Sequence, residues 1–252
     1  MRLSLRIKRS KDMTIEDFSN TFDLLFNNLM SDMAPEVNLY EKSSLLTLAQ
    51  EEIVSELYSG FETTEQSRRG IEALIETSEI EIDGSNTKKS TEDGFYHFFC
   101  ELPSDLLYIV QETAVVADKD ACNNGKKIKI KPERVDNIMQ DLQNPFRGPS
   151  KNLVFRIEDG KTDTEKRVEL ISSIVLGKYI VKYIRRPKPI LLTDFSSDEY
   201  DNLHIRGYQN FGSEEGGYDV NDLASEPCEL SDVIQTEIIK RAVTLAKAAY
   251  KS

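Results

Sequence analysis

The side chains that most often carry out catalysis are scarce in this chain of 252 residues, which has two histidines and three cysteines. Acid–base or zinc chemistry needs several such groups to converge, and neither His97 nor His204 has neighbours in sequence arranged as a metal or catalytic group. Cys100, Cys122 and Cys228 are widely spaced and form no Cys-x-x-Cys pair, which argues against a zinc site or a disulfide framework. We therefore expect His97 to be packed or at an interface, and the cysteines to be small core or loop residues.

Carboxylates concentrate in the stretch 193–227. Such groups bind hard cations, but the spacing of oxygen ligands that forms a calcium loop is missing. Gly216-Gly217 is accompanied by neither a Walker lysine nor a dinucleotide fingerprint, so it predicts no phosphate site. We predict a solvated or partner-facing acidic loop; Asp194, Asp198 and Asp201 leave open a carboxylate-based, divalent-metal-dependent hydrolase. The acidic residues of the stretch are Asp194, Asp198, Glu199, Asp201, Glu214, Glu215, Asp219, Asp222 and Glu226.

A strand that ends in a basic, proline-containing segment is the most distinctive pattern, KYIVKYIRRPKPILL over 178–192. It reads first as a strand, in which Tyr179, Val181 and Tyr183 point one way and Ile180, Lys182 and Ile184 point the other. Proline lacks a backbone donor and fixes φ, so the strand must stop or become an edge at Pro187. The pattern predicts a stiff, protruding arm at an interface between subunits, formed by Arg185, Arg186, Pro187, Lys188 and Pro189.

Amphipathic helices are expected at both ends of the sequence. Apolar residues at helical spacing predict one helix from Thr14 to about Pro35, a second ending at Gly60 and a third from about Thr64 to Thr77. A terminal helix from about Ser231 should pack on these three through Ile234, Ile238 and Leu245, in contact with Phe22 and Leu25. These elements predict a helical subdomain over 1–77 and 230–252.

Short strands with regular turn signals fill the middle of the chain. Strands are expected over 79–83, 94–101, 108–116, 126–131, 152–158, 167–174 and from 178. Pro132 is expected at the first position of a short helix with Val135, Ile138, Met139 and Leu142 inside, closed by Pro145. The rigid loop PFRGP follows and adds Phe146 and Arg147 to the candidate interface residues.

These patterns define an α+β fold: a helical bundle of three N-terminal helices plus the C-terminal helix, and a central antiparallel β domain, either a sandwich or a small barrel. The β-rich subdomain is expected over 78–192 and the acidic loop over 193–229. Near the N-terminus, Arg2, Arg6, Lys8, Arg9 and Lys11 form either a loose terminus or a basic arm that touches a partner.

Composition narrows the class of protein. A hydrophobic content of 39% fits a folded protein, and a formal net charge of −12 disfavours nonspecific binding to duplex nucleic acid. No run is long and apolar enough to cross a membrane, and the N-terminus lacks the apolar core of a signal peptide. We expect a protein of a reducing, cytosolic-type compartment, without cofactors.

The sequence resembles neck ring proteins of tailed bacteriophages, most of all those of crAss-like phages. The resemblance lies in KYIVKYIRRPKPILL over 178–192, followed after a loop by EPCELSDVIQTEIIKRAVTLAKAAY over 226–250. The segment CELPSDLL over 100–107 is similar to a stretch of podophage portal adaptors. Together these segments cover about half of the chain, and neither is a catalytic signature.

The resemblance implies a non-enzymatic virion protein of the head–tail connector. Such a protein forms a homo-oligomeric ring of twelve copies below the portal, extends the DNA channel, contacts other neck or tail rings, and assembles in the host cytoplasm before residing in the virion neck. DNA would pass without specific binding. Two alternatives are the metal-dependent hydrolase named above and a soluble binding module unrelated to a virion.

Overall fold

A computed structural model of the chain describes residues 13–29, 37–61, 64–83, 87–89, 94–117, 124–144, 146–159, 166–192 and 228–251. The fold is α+β, with helices beside a β domain, and the chain divides into two units. One unit is helical and combines residues up to Leu74 with those from Pro187 onwards. The other, Ile75–Arg186, contains all eight described strands.

The helical unit contains α1 (Ile15–Leu29), α2 (Leu39–Ser59), α3 (Glu65–Gly70) and α5 (Asp232–Lys251). Asn38 begins α2 with a capping box: its side chain accepts from the Glu41 N–H while the Glu41 carboxylate accepts from the Asn38 N–H. Helix α5 packs on both α1 and α2, as its apolar stripe predicts. Its side chains Ile234 and Ile238 are buried.

The predicted third helix is too long. Helix α3 ends at Gly70, where a Cβ atom would lie 2.9 Å from Cδ1 of Ile234 and 3.1 Å from Cδ1 of Leu57. A short 3₁₀ turn, Glu72–Leu74, follows, and Ile75 already belongs to a strand. The β-branched Ile75 and Thr77 favour that strand, which helical spacing of apolar residues alone did not distinguish.

The β unit is one eight-stranded sheet in the order β1-β8-β4-β5-β6-β7-β3-β2. The sheet is mixed and not purely antiparallel, because β5 and β6 run parallel and are joined by α4 (Val135–Gln143), while every other neighbouring pair is antiparallel. The strands are β1 Ile75–Glu81, β2 Thr87–Lys89, β3 Tyr96–Glu101, β4 Leu106–Val116, β5 Lys127–Pro132, β6 Leu153–Asp159, β7 Arg167–Ser172 and β8 Leu176–Arg185.

Both faces of this sheet contain buried apolar residues, because side chains alternate along each strand. The larger core includes Phe98, Val154, Leu170 and Tyr179. On the opposite face, Phe155, Ile157 and Ile171 form a smaller cluster with Ile138 of α4. This division explains why the sequence of β3, which is apolar on both sides, predicts a covered strand.

Helix α4 begins later than the sequence predicts. Pro132 is the last residue of β5, paired with Arg156 of β6, and not the first residue of the helix. Val135 and Met139, expected inside, are 63% and 64% exposed, whereas Ile138 is buried. The apolar surface of α4 is therefore wider than the part that packs on the sheet.

Candidate assembly interface

The proline segment Pro187–Leu192 is packed within the helical unit and does not protrude as the sequence predicts. Pro187, Pro189 and the three residues that follow are buried. Charge and the stiffness of proline predict a protruding arm. Neither property identifies the groups that accept hydrogen bonds from the segment's remaining backbone N–H groups.

Side-chain oxygens accept hydrogen bonds from alternate backbone N–H groups of this segment. The N–H of Lys188 donates to Oε2 of Glu229 over 3.3 Å. The N–H of Ile190 donates to Oγ1 of Thr47 over 3.1 Å, and that of Leu192 donates to Oγ of Ser43 over 3.0 Å. Pro187 and Pro189, which have no backbone N–H group, alternate with these donating residues, so no backbone donor at their positions is left without a partner.

This arrangement explains two of the polar residues buried on α2. Ser43 and Thr47 have no exposed surface, because they lie four residues apart on the inner side of the helix. Together with the carboxylate of Glu229, they act as acceptors for an extended strand-like segment. Sequence reasoning missed them because a serine and a threonine within a helix give no signal of a partner more than 140 residues away.

Arg185 is also engaged within the chain. Its Nε lies 2.8 Å from Oε1 of Glu76, and its side chain is 11% exposed. The neighbouring hydroxyl of Tyr183 lies 3.2 Å from Oδ1 of Asp105, and burial, followed by the charges of Asp105 and Glu76, raises the pKa of Tyr183. The N–H of Arg186 donates to the Asp105 carbonyl over 2.7 Å. The end of β8 is thus held to β1 and to the turn before β4.

Phe146 and Arg147, the other candidate interface residues, are exposed on a tight turn after α4. The Phe146 side chain is 95% exposed. Its N–H donates to Oδ1 of Asn144 over 3.0 Å, and the N–H groups of Arg147 and Gly148 donate to the Asn144 carbonyl over 3.0 and 2.9 Å. This turn holds an aromatic ring in solvent.

In the sequence, Phe146 comes shortly after α4, which itself exposes apolar side chains. Val135 and Met139 lie one helical turn apart on that helix. We name Val135, Met139 and Phe146 the α4 surface. Contiguous patches of exposed apolar side chains mark interaction surfaces, so these three residues are candidates for one.

A buried charged cluster lies in the larger core of the sheet and was not predicted. The hydroxyl of Tyr179 (β8) donates to Oε1 of Glu112 (β4), and Nε of Arg156 (β6) lies 2.9 Å from the same oxygen. Burial, followed by the charge of Glu112, raises the pKa of Tyr179. Three strands far apart in sequence supply one residue each, so no local motif marks the cluster.

His97, Cys100 and Cys228 lie in packed surroundings. Nδ1 of His97 lies 2.6 Å from Oε1 of Glu169 on the neighbouring strand, a partner 72 residues away. Burial raises the pKa of Cys100 to about 12 and that of Cys228 to about 12, so both are protonated at neutral pH. A protonated thiol is a poor nucleophile and a poor metal ligand.

Among the described residues, no group of three or more His, Cys, Asp or Glu side chains is placed to hold a metal ion, and no helix is long and apolar enough to cross a membrane. The acidic stretch 193–227, including Asp194, Asp198 and Asp201, lies outside the described residues. His204, Cys122, Pro145 and the basic N-terminal residues 2–11 lie outside them as well.

The described residues thus show exposed apolar side chains on α4 and the turn after it, and no cluster of metal-ligating side chains. Comparison with known proteins gives the family. Residues 13–252 match the family model described as phage tail ring protein 3/4, and the chain belongs to this family. It is a bacteriophage ring protein, in agreement with the resemblance seen in the sequence.

Two relatives from Bacteroides phage crAss001 are similar over nearly the whole length. Ring protein 3 is 34% identical over 245 residues, which cover 93% of this chain and 95% of the relative. Ring protein 4/5 is 34% identical over 249 residues, which cover 95% of this chain and 94% of the relative. The similarity therefore includes both the helical unit and the sheet.

Proposed function

We propose that this protein forms a ring in the head–tail connector, below the portal, where it extends the DNA channel and docks the tail. The observation that carries the proposal is the match to a ring-protein family over residues 13–252. In this role the protein is structural and not an enzyme. Its partners are further copies of itself, the portal protein and other neck or tail rings, met in the host cytoplasm and retained in the virion.

Rings need two different complementary surfaces on each copy, because the contacts run head to tail and close by rotation. The α4 surface, with Arg147 beside it, is our first candidate for one of them. Burying a side chain as large as Phe146 contributes about 1.5–3 kcal/mol, and aromatic and arginine side chains dominate interface energies. We assign this surface to a neighbouring subunit.

The basic segment remains a candidate in a changed form. Arg185, Pro187 and Pro189 are buried, so they support the segment and do not themselves offer surface. Arg186 and Lys188 are half-buried and keep part of their side chains in solvent. We propose that these two cations lie at the rim of a subunit contact, where charges set orientation and partner choice more than affinity.

Net charge supports a channel role. A chain with formal net charge −12 gives a ring of twelve copies a strongly negative field. Phosphates form few counterion-releasing contacts with such a surface, so DNA passes without being held. Twelve is the copy number that we propose, following the resemblance to portal-associated rings.

A phage that lacks this protein tests the joining role. We expect DNA-filled heads and unattached tails to accumulate in infected cells, and a plasmid copy of the gene to restore whole particles. Electron micrographs of the lysate give the counts. Normal, infectious particles made without the protein would contradict the proposal.

A further inference from the structure

Among the described strands, β1 and β2 form the two edges of the sheet, and these edge strands differ in charge. Edge strand β1 contains three glutamates, Glu76, Glu79 and Glu81, while edge strand β2 reads Thr87-Lys88-Lys89. No backbone group of either strand forms a hydrogen bond on its outer side to another described residue. An unpaired edge is a template for another strand, and proteins that leave one exposed often use it for assembly.

The register of β1 shows which of its donors point outward. The N–H of Ile82 donates to the Gly177 carbonyl of the neighbouring strand over 2.9 Å. Because β1 pairs with β8 without a bulge, the N–H groups of Ile80 and Ser78 also face β8. Those of Thr77 and Glu79 therefore face away from the sheet, where no described residue accepts them.

The directions of the two edges suit a ring. Six of the seven neighbouring strand pairs are antiparallel and one is parallel, so β1 and β2 run in the same direction. Rotation about a ring axis preserves the direction of a strand along that axis. A β2 strand placed beside the β1 strand of the next copy would therefore pair in parallel.

Charge selects this pairing over the pairing of like edges. Glu79 and Glu81 share one cation, with Lys178 Nζ 3.4 Å from Oε2 of Glu79 and 2.7 Å from Oε1 of Glu81. Both carboxylates remain more than half exposed, so the β1 edge keeps a negative surplus. Lys88 is exposed on the other edge, with Nζ 5.5 Å from the centre of the Phe99 ring. Two acidic edges repel each other, whereas an acidic and a basic edge attract.

We propose that β2 of each copy pairs with β1 of the next copy, so that one continuous β-sheet runs around the ring. The inference rests on the proposed function and names the contact that closes the assembly. It makes the two sheet edges a heterologous pair of surfaces, distinct from the α4 surface.

A matched pair of substitutions at Thr77 tests the backbone contact. Thr77→Pro removes an outward donor, and proline is tolerated in an edge strand where the N–H faces away from the sheet. Thr77→Val keeps the donor and the β-branched shape. Each variant is co-expressed with wild type during infection, and mass spectrometry of purified particles gives the ratio of the two chains.

We expect the proline variant to be depleted in particles by roughly tenfold or more, which corresponds to about 1.4 kcal/mol of lost contact energy. We expect the valine variant to enter in proportion to its expression. Circular dichroism melting of each purified variant shows whether the fold is retained. Equal incorporation of the two variants would overturn the pairing.

A cross-linking measurement keeps the inference testable if the proline variant does not fold. The double variant Thr77→Cys with Lys88→Cys places one thiol on each edge, and a short bis-maleimide is added to assembled particles. We expect a ladder of covalent multimers in denaturing gels, with no ladder from either single variant. Absence of a ladder would overturn the pairing.

Different results would overturn the edge-strand pairing and the proposed ring function. If wild-type protein is present as a ring in particles but the edges neither cross-link nor respond to proline, the inference is wrong and the ring function stands. If wild-type protein is absent from purified particles, the ring function itself is wrong.

Discussion

Thr47 and Ile190 exchange two hydrogen bonds: the Ile190 N–H donates to Oγ1 of Thr47 over 3.1 Å, and Oγ1 lies 3.4 Å from the Ile190 carbonyl oxygen. A threonine in the middle of α2 thus meets both backbone groups of one residue, as a neighbouring strand would. With Ser43 on Leu192, it attaches the proline segment to the helical unit. This attachment makes the segment a part of the fold.

Replacing Thr47 by valine tests this attachment. Valine has nearly the same shape but cannot pair with the buried backbone groups of Ile190, so we expect the free energy of unfolding to fall by about 1–3 kcal/mol. Urea unfolding followed by circular dichroism measures it. Thr244→Val is the matched control, because Thr244 lies on the exposed side of α5; equal losses in both variants would contradict the assignment.

The buried cluster in the sheet predicts a larger loss. Arg156→Met leaves the Glu112 carboxylate without its cation in a site where both side chains are less than 10% exposed, so we expect a loss of about 3–5 kcal/mol. Thermal and urea unfolding measure it. Glu158→Gln is the control, since Glu158 contacts the same arginine from the surface, and we expect a change within about 0.5 kcal/mol. Similar small changes in both variants would show that the cluster contributes little.

The α4 surface predicts a separation of folding from assembly. Phe146→Ser removes an exposed ring, so we expect a change in unfolding free energy within about 0.5 kcal/mol but reduced incorporation into particles. Lys151→Ser, an exposed change in the same connection, is the control for assembly. Normal incorporation of the Phe146 variant would remove this surface from the interface.

The buried thiols predict a loss of stability in alkali. Burial raises the pKa of Cys100 from 9.0 to about 12, so between these values the folded chain holds a proton that the unfolded chain has released. Stability from this source is full below pH 9 and is lost as the pH rises towards 12. Buried Tyr179 and Tyr183, whose pKa values are also raised, act in the same direction.

Cys100→Ala isolates the thiol contribution. We expect its unfolding free energy to fall less steeply with pH above 9 than that of wild type, whatever its stability at neutral pH. Urea unfolding over a pH series gives both slopes. Identical slopes would contradict the assignment of the shift to Cys100.

Local pattern was sufficient for most elements of the fold. The apolar stripes of α1, α2 and α5 gave the helices, and alternation gave the strands, because both periods are properties of a single segment. Mistakes occurred where a distant partner decides the outcome. The helix predicted through Thr77 ends at Gly70, where side chains of α2 and α5 leave no room for a Cβ atom, and Ile75 begins β1, which pairs with β8.

The candidate interface residues also include some that local pattern identifies and some whose position depends on distant partners. Phe146 in PFRGP could be recognised as a displayed aromatic from its flanking prolines and glycine. The predicted protrusion of the basic segment was wrong, because Ile190 and Leu192 directly after it bond to Thr47 and Ser43 on a helix far away in sequence. The partner of Arg185, Glu76, is likewise 109 residues distant.

Averaged electron microscopy of the phage neck tests the central claim most directly. We expect copies of this protein arranged by rotation about one axis, each touching its neighbours through two different faces and together surrounding a channel wide enough for duplex DNA. A closed two-fold dimer of this protein, or a neck whose rings all consist of other chains, would contradict the account.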